Sequence, residues 1–200
     1  MNNLIPIIAV VISYFLGNIS PAILIGRAMG VEIRKEGSGN AGTTNVLRVL
    51  GKKAAVATLV IDILKGVAAV LIGKYIGGQD LAMICGLAAF LGHIWPMLFQ
   101  FRGGKGIATA FGVVVTVQPL LGIIEAVVAL TFLLISKRVS VGSLAAGLFL
   151  PIAAYYFNPD YLLWASAMAV IVIFKHRKNI NRLIKGEEPK INFKKQEGKK

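Results

Sequence analysis

A long uncharged stretch near the start of the chain, Leu4 to Gly26, is the feature that most limits how this sequence can fold. It covers 23 positions without a single Asp, Glu, Lys or Arg. A helix of about 20 apolar residues crosses a hydrocarbon core of about 30 Å. The opening Met-Asn-Asn carries no positive residue, and the block is too long for the apolar region of a cleaved signal peptide. The stretch therefore predicts a membrane span.

Further uncharged or nearly uncharged stretches follow, in a chain that is 56% hydrophobic with a mean hydropathy of +0.73. They predict an all-α, polytopic membrane protein with about seven transmembrane helices in a single membrane-embedded domain covering 1–200. The stretch 106–136 also allows one long helix kinked at Pro119 in place of two short spans. The seven candidate spans are 4–26, 54–77, 81–101, 106–117, 120–136, 140–157 and 161–174.

The distribution of basic residues predicts the orientation of the chain. The net charge is +13, but the basic residues flank apolar blocks and do not line one soluble face, which argues against nucleic-acid binding. With the N-terminus outside, the predicted inner segments hold 20 of the 22 Lys and Arg residues. The C-terminus is then cytoplasmic, with a basic tail from about residue 175 whose last lysines, Lys194, Lys195, Lys199 and Lys200, would rest on anionic lipid headgroups.

Polar residues inside the apolar blocks point to structure more than to cofactor chemistry. Asp62 and Lys65 stand three positions apart and predict a mutual ion pair, and Glu125 is a further acid within a span. The single cysteine, Cys85, excludes an intramolecular disulfide and a cysteine-based metal site. The sequence shows no metal cluster and no cofactor motif.

The first predicted cytoplasmic loop is rich in glycine, hydroxyl and amide residues. Such a loop can turn tightly and present backbone N–H groups to a phosphate-like anion, with a helix beginning near Thr44 and Arg48 one turn later. A glycine-rich loop without a ligand is the alternative. Gly37 to Gly42 also matches the dinucleotide-binding pattern, but that pattern needs a strand–turn–helix context, and here membrane spans flank it. The candidate residues are Ser38, Gly39, Asn40, Gly42, Thr43, Thr44 and Asn45.

The second cluster joins His93 to a Gly103-Gly104-Lys105-Gly106 segment. Flexible glycine backbone, a lysine charge and a helix start would again suit an anion. An ordinary helical turn with a positive-inside lysine is the alternative. His93 is either a hydrogen-bonded structural group or a general base.

Two more clusters lie at predicted inner helix ends. Ser140 and Ser143 follow Arg138 and are either N-caps or anion ligands. His176 and Asn179 are spaced to share a helix face.

Together these clusters resemble the bacterial acyl-phosphate:glycerol-3-phosphate acyltransferases, the PlsY family, over nearly the whole chain. Each motif is weak alone, whereas four in order are highly specific. The resemblance rests on Ser38-Gly39-Asn40, Thr44-Asn45 and Arg48; Gly92-His93, Pro96 and Gly103-Gly104-Lys105-Gly106; Arg138-Val139-Ser140 and Ser143; and His176, Asn179-Ile180 and Arg182-Leu183.

The resemblance implies transfer of an acyl group from a fatty acyl phosphate to the 1-hydroxyl of glycerol 3-phosphate. The products would be lysophosphatidic acid and orthophosphate, made at the cytoplasmic face of a bacterial inner membrane without a cofactor. It implies that the Ser38–Asn45 loop, with Gly103 and Gly104, holds the acyl phosphate. The residues implied to hold glycerol 3-phosphate are Arg48, Lys105, Ser143, His176 and Asn179.

The proton acceptor stays open at this point. The chain lacks the His-x-x-x-x-Asp motif of other glycerophosphate acyltransferases, since Leu98 follows His93 at that spacing and Asn181 follows His176. Either the phosphate of the donor takes the hydroxyl proton or His93 does. The catalytic candidates are Ser38, Asn45, His93 and Lys105.

Two other classes of protein compete with this interpretation. A transporter of phosphorylated metabolites would also need cationic residues, but near the bilayer midplane and usually in repeated halves, and no internal repeat is visible. A structural or lipid-binding membrane protein would not explain several glycine-rich or hydroxyl-rich loops on one predicted side.

Overall fold

The computed structural model describes residues 4–191, and between them the chain forms nine α-helices, two short 3-10 turns and no strand. The all-α prediction is confirmed. Two compact units, Met1–Pro119 and Leu120–Lys200, are described in turn; the predicted lipid anchor at Lys194, Lys195, Lys199 and Lys200 lies outside the described residues. The helices are α1 Leu4–Asn18, α2 Pro21–Ala28, α3 Thr43–Val49, α4 Lys52–Ile94, α5 Ile107–Val117, α6 Pro119–Ser136, α7 Val139–Phe157, α8 Leu162–Lys175 and α9 Arg177–Ile184.

The first apolar block, predicted as a span over 4–26, consists of two helices that together are apolar enough for one bent span. Helix α1 ends at Asn18, α2 begins at Pro21, and the two are bent by 41°. Proline has no N–H and therefore cannot donate to the carbonyl four residues earlier. That carbonyl belongs to Gly17, which must find another donor.

Helix α4 contains the second and third predicted spans and is interrupted between them. Gly77 and Gly78 leave helical geometry, Gly78 with a φ of 75° that L side chains rarely adopt. The third predicted span is too long, because α4 ends at Ile94 and not at residue 101. The next residue, Trp95, precedes Pro96, and a residue before proline is disfavoured in helical geometry. Residues 95–106 are thereby released to form a loop.

The stretch 106–136 forms two helices, so the single kinked helix is wrong. Gln118 separates α5 from α6 in an extended conformation, with φ −145° and ψ 96°. By length and composition, three helices among the described residues can cross a membrane, or four if the bent α1–α2 pair is one span. The chain is a multi-pass membrane protein. Seven crossings and the orientation of the termini stay predictions.

Small residues let the helices of the first unit approach closely. A Cβ on Gly17 of α1 would overlap the Ala89 carbonyl of α4, and a Cβ on Gly112 of α5 would overlap the Ile63 carbonyl of α4. Close backbone contact through small residues is the usual basis of helix packing in membranes, where burial from water gives no driving force. The second unit uses the same device where a Cβ on Gly142 of α7 would overlap the Ala129 carbonyl of α6.

We predict that Gly66→Val separates α4 from α5 and lowers the thermal stability of the detergent-purified protein. A Cβ at Gly66 would lie 2.5 Å from the Thr109 carbonyl oxygen and 3.1 Å from the Val113 nitrogen. Overpacking of this kind costs about 1–3 kcal/mol. Leu64→Val is the matched control, since Leu64 is 56% exposed on the same helix. Equal melting temperatures for the two variants would contradict the packing account.

Candidate active site

The first glycine-rich loop is organised from inside by one buried amide. The Asn45 side chain, 1% exposed, accepts from the backbone N–H of Ser38 at 2.8 Å through Oδ1. Its Nδ2 donates to the carbonyls of Ile33 and Glu36, both at 3.0 Å. One side chain thus closes a loop of a dozen residues. The structure places Asn45 inside the loop and not on its accessible surface.

The remaining candidates of this loop are more exposed than Asn45. Ser38, Gly39 and Arg48 are exposed, and a second group is half-buried. Glycine is required at position 39, whose φ is 68°. Helix α3 begins at Thr43, close to the predicted start. The half-buried candidates are Asn40, Gly42, Thr43 and Thr44.

The second glycine-rich loop leads directly into a helix, as predicted. The N–H of Gly104 donates to the His93 carbonyl at 3.2 Å, and that of Gly103 donates to the Ile94 carbonyl at 3.3 Å. Gly106, with a φ of 84°, then allows the chain to start α5 at the next residue. Lys105 is half-buried at this helix start.

The two loops meet at Gly104, although about 60 positions separate them in sequence. A Cβ on Gly104 would lie 2.8 Å from the Ala41 carbonyl oxygen and would overlap Nε2 of the His93 ring. The first loop, the second loop and the His93 imidazole therefore converge on one glycine. A second link, from Arg34 Nη1 to the Phe99 carbonyl at 3.3 Å, joins the same two segments.

Beneath this junction lies a buried charged cluster of Asp62, Lys65 and His93. Lys65 Nζ lies 2.8 Å from Asp62 Oδ1, which confirms the predicted ion pair. Lys65 Nζ is also 2.8 Å from His93 Nδ1, and His93 Nδ1 is 3.2 Å from Asp62 Oδ1. His93 is thus a hydrogen-bonded group, and it connects the ion pair to the glycine loop.

The second unit contains an acid that sequence reasoning missed. Glu188 is 5% exposed, and its Oε1 accepts from Ser140 Oγ at 2.7 Å and from Asn179 Nδ2 at 2.6 Å. Its Oε2 pairs with Arg182 Nε at 2.7 Å, and its carbonyl accepts from Arg138 Nε at 2.9 Å. The sequence feature that could have indicated this acid is the acidic pair Glu187-Glu188 within a strongly basic tail.

Ser140 and Ser143 do not cap helix α7. Helix α7 begins at Val139 with Arg138 at the N-cap, so Ser140 and Ser143 lie inside the helix, 4% and 6% exposed. The N-cap interpretation of both serines is wrong, because the chain enters helical geometry one residue earlier. Ser140 instead donates to Glu188.

His176 and Asn179 are both buried at the junction of α8 and α9. His176 is the residue between the two helices, and its Nδ1 lies 2.8 Å from the Val172 carbonyl oxygen. Since a carbonyl only accepts, Nδ1 carries a proton. Asn179 lies one turn later and is oriented by Glu188.

We predict that Asn45→Asp opens the first loop. An aspartate cannot donate to the carbonyls of Ile33 and Glu36 and would place a charge against them, at about 1–3 kcal/mol for each buried group left unpaired. Backbone amide exchange in residues 33–39, measured by mass spectrometry, should become faster. Asn40→Asp is the control, since it adds the same charge at a half-buried position of the same loop. Unchanged exchange in Asn45→Asp would contradict the organising role of this amide.

We predict that Glu188→Gln destabilises the second unit in a pH-dependent way. Burial raises the pKa of the Glu188 carboxyl, but hydrogen bonds from Ser140, Asn179 and Arg182 outweigh it and hold the pKa below its ordinary value. A lowered pKa in the folded state stabilises the fold above the unfolded-state pKa, and that stabilisation is lost as the pH falls through the folded-state value.

The melting temperature of Glu188→Gln should therefore lie below that of the native protein at pH 7, for a loss of about 2 kcal/mol. The difference between the two melting temperatures should become smaller as the pH falls below the ordinary glutamate pKa of 4.5. Glu187→Gln serves as the control, because Glu187 is exposed. A melting-temperature difference that stays constant down to low pH would show that the charge of Glu188 does not stabilise its contacts with Ser140, Asn179 and Arg182.

Comparison with known proteins agrees with the resemblance seen in the motifs. A family model described as glycerol-3-phosphate acyltransferase matches residues 7–186. The glycerol-3-phosphate acyltransferase of Thermoanaerobacter sp. (strain X514) is 46% identical over 191 residues, covering 94% of this chain and 96% of the relative. That of Alkaliphilus metalliredigens (strain QYMF) is 38% identical, covering 96% and 98%.

Solved structures of glycerol 3-phosphate acyltransferases also resemble this chain. The crystal structure of PlsY, an integral membrane glycerol 3-phosphate acyltransferase, in its glycerol 3-phosphate form has a TM-score of 0.90 at 37% identity. It covers 94% of this chain and 96% of that chain. The lysophosphatidic acid form of PlsY has a TM-score of 0.87 at the same identity. This chain is thus an acyltransferase and belongs to the glycerol-3-phosphate acyltransferase family.

Proposed function

We propose that this protein transfers the acyl group of a fatty acyl phosphate to the 1-hydroxyl of glycerol 3-phosphate. The hydroxyl oxygen forms the new ester bond to the acyl carbon, and the bond from that carbon to the phosphate oxygen breaks. The hydroxyl proton ends on the phosphate that leaves. The products are lysophosphatidic acid and orthophosphate, with no oxidant, reductant or cofactor consumed.

The observation that carries this proposal is the convergence of the two glycine-rich loops at Gly104. A cationic side chain stands beside each loop: Arg48 is exposed beside the first loop, and Lys105 follows Gly104 at the start of α5. A helix start, glycine backbone and two cations suit phosphate groups. A mixed anhydride already has a good leaving group, so positioning and charge stabilisation can supply most of the rate.

We assign the acyl phosphate to the first unit. The loop from Ser38 to Asn45 and the pair Gly103 and Gly104 would cradle its phosphate and the oxyanion that develops at the acyl carbon. Asn45 contributes by holding the loop, because its own polar atoms are engaged with Ser38, Ile33 and Glu36. The residues proposed for this ligand are Ser38, Gly39, Asn40, Gly42, Thr43, Thr44, Asn45, Gly103 and Gly104.

We assign the phosphate of glycerol 3-phosphate to a second set of polar residues. By the motif match, Arg48 and Lys105 would supply positive charge, and Ser143, His176 and Asn179 would supply hydrogen bonds. The catalytic set is Ser38, Asn45, His93 and Lys105. We propose that the phosphate of the donor accepts the hydroxyl proton, since its own departure makes that phosphate oxygen basic.

The proposed setting is the bacterial inner membrane, with the N-terminus outside and the site facing the cytoplasm. The bias of Lys and Arg toward one set of loops supports this orientation. Many large hydrophobic side chains of the long helices are exposed, among them Leu130, Leu134 and Ile135 of α6, as expected where helices face lipid. The acyl chain of the donor would reach the site from that lipid.

We predict that detergent-purified protein releases orthophosphate from palmitoyl phosphate only when glycerol 3-phosphate is added. Lys105→Ala and Arg48→Ala should each lower kcat/KM by at least about 100-fold, because each removes a charge from a site that binds two anions. Lys53→Ala is the matched control, since Lys53 is an exposed lysine of the same predicted inner segment. It should retain full activity.

The outcome decides whether fatty acyl phosphate is the acyl donor. Acceptor-dependent release that is lost in both variants and retained in Lys53→Ala supports the acyltransferase reaction with this donor. Folded protein that releases no phosphate from acyl phosphates of several chain lengths rules out this donor.

A further inference from the structure

We propose that residues 95–101, which we call the apolar loop, lie within the membrane, with Met97, Leu98 and Phe101 in contact with bilayer lipid. The partner is the phospholipid of the bilayer itself. The inference concerns the position of the second glycine-rich loop, because that loop continues directly from the apolar loop. It does not depend on the identity of the acyl donor.

The first step is the depth at which α4 ends. The chain reverses its direction at Gly77 and Gly78, since a Cβ on Gly73 would lie 2.5 Å from the Leu81 carbonyl oxygen. Helix α4 is thus a hairpin of two helical arms. The second arm, residues 79–94, is about 24 Å long at about 1.5 Å per residue. A hydrocarbon core is about 30 Å thick, so an arm of this length that starts at one membrane surface ends before it reaches the other.

The first arm extends beyond the end of the second and marks how far the lipid reaches. Asp62 Oδ1 lies 3.2 Å from His93 Nδ1, so the two arms are level at these residues. Helix α4 begins at Lys52, and its first arm therefore continues for about 15 Å past that level. Val56 and Val60 on this extension are 53% and 46% exposed, as expected of a helix in lipid. The apolar loop begins at a depth where the neighbouring arm still faces lipid.

The apolar loop presents large apolar side chains outward. Met97, Leu98 and Phe101 are 58%, 64% and 57% exposed, and the loop carries no charged residue. In water such a cluster is unfavourable, because its apolar area stays hydrated. Contact with the acyl chains of lipid removes that cost.

The backbone of the apolar loop is hydrogen-bonded within the protein. Each N–H of residues 98–104 donates to an acceptor of the chain: Leu98 to Asn18 Oδ1 at 3.2 Å, and the others to carbonyls. The Trp95 carbonyl accepts from the Tyr14 hydroxyl at 2.7 Å. A loop in water can pair such groups with solvent, whereas non-helical backbone at membrane depth must find its partners inside the protein. The pattern is the one that a loop in lipid requires.

Two residues adopt a strained backbone conformation to complete this pattern. Gln100 and Phe101 have φ values of 60° and 57°, in the left-handed region that L side chains rarely adopt. The turn they form brings the Phe101 N–H to the Pro96 carbonyl at 2.8 Å. In water the same N–H could pair with solvent without strain. In lipid an unpaired N–H is costly, and the strained turn is then the more stable choice.

Two arginines flank the apolar loop. Arg102 follows it directly and is exposed, and Arg27 of α2, also exposed, lies over the Phe99 ring at 5.6 Å from its centroid. Long basic side chains keep their stems along apolar surface and extend their charge toward the membrane surface. The combination fits phospholipid, with acyl chains against the loop and headgroup phosphates against the arginines.

Fluorescence quenching in reconstituted protein tests this position. Leu98→Cys is labelled with the fluorophore NBD in a Cys85→Ala background, which removes the single native cysteine. Leu134→Cys supplies the lipid reference, since Leu134 is 68% exposed on the long apolar helix α6. Glu187→Cys supplies the water reference, since Glu187 is an exposed acid after the last helix. Each protein is reconstituted in vesicles of phosphatidylethanolamine and phosphatidylglycerol.

We expect lipid brominated on its acyl chains to quench the label at Leu98 as strongly as the label at Leu134. Iodide on both sides of the vesicle should quench it far less than the label at Glu187. Iodide quenching equal to that at Glu187, without an effect of brominated lipid, would place the loop in water and overturn the proposal. Protection from both quenchers would show that protein, such as a second copy of the chain, covers the loop, and that result also overturns it.

The native loop gives a second measurement that needs no label. The chain has two tryptophans, so Trp164→Phe leaves Trp95, at the start of the apolar loop, as the only one. We expect brominated lipid to quench the emission of Trp95, and absence of that quenching would contradict the membrane position. Neither measurement needs substrate, so the position of the loop is decided even in a protein that releases no phosphate from acyl phosphates.

A charge in the apolar loop separates the two environments by stability. Leu98→Asp is compared with Leu98→Met in the same vesicles. At an exposed position in water both variants would have nearly the same melting temperature. We expect a lower melting temperature for Leu98→Asp, because a carboxylate is costly in lipid. Equal melting temperatures would overturn the proposal.

Discussion

The buried amine of Lys65 is the contact on which the first unit depends. It donates to two carbonyls left without helical partners by the break before Pro21, pairs with Asp62 and contacts His93, so that three separate segments are tied to one atom. Removing one partner of a buried ion pair typically costs about 3–5 kcal/mol, because the remaining charge has no water to solvate it. The break in α1–α2, which looks like a defect in a membrane span, is therefore stabilised from the core.

In the second unit the buried carboxylate of Glu188 joins separate segments of the chain. Glu188 gathers Ser140, Asn179 and Arg182 around one carboxylate and brings the chain after α9 back to the start of α7. In each unit a buried charge organises polar side chains beside the residues that the motifs identify. Rigid placement of this kind matters for an acyltransfer reaction in which positioning and charge stabilisation do most of the work.

Much of the fold follows from hydropathy and from the residues that interrupt helices in the sequence. The helix limits at Ile107, Val117 and Phe157 lie within a residue or so of the expected ones, because glycine, proline and charge changes mark them. The helix break at residues 19–20 and the end of α4 before residues 95–101, neither of which hydropathy predicts, share one cause. Hydropathy records whether a segment is apolar but does not record whether its backbone hydrogen bonds can be completed, and proline decides that locally.

The sequence by itself determined the membrane class, the four motif clusters and the Asp62–Lys65 pair, since each depends on local composition or short spacing. The resemblance of the four motifs to those of known proteins indicated the acyltransferase family. Only the tertiary structure decided that the two glycine loops meet at Gly104, that Asn45 faces inward and that Glu188 is buried. Those facts depend on contacts between residues far apart in the chain, which follow from how the helices pack. The partner of His93 is the clearest case: spacing joins Asp62 to Lys65, but only packing brings both to the imidazole.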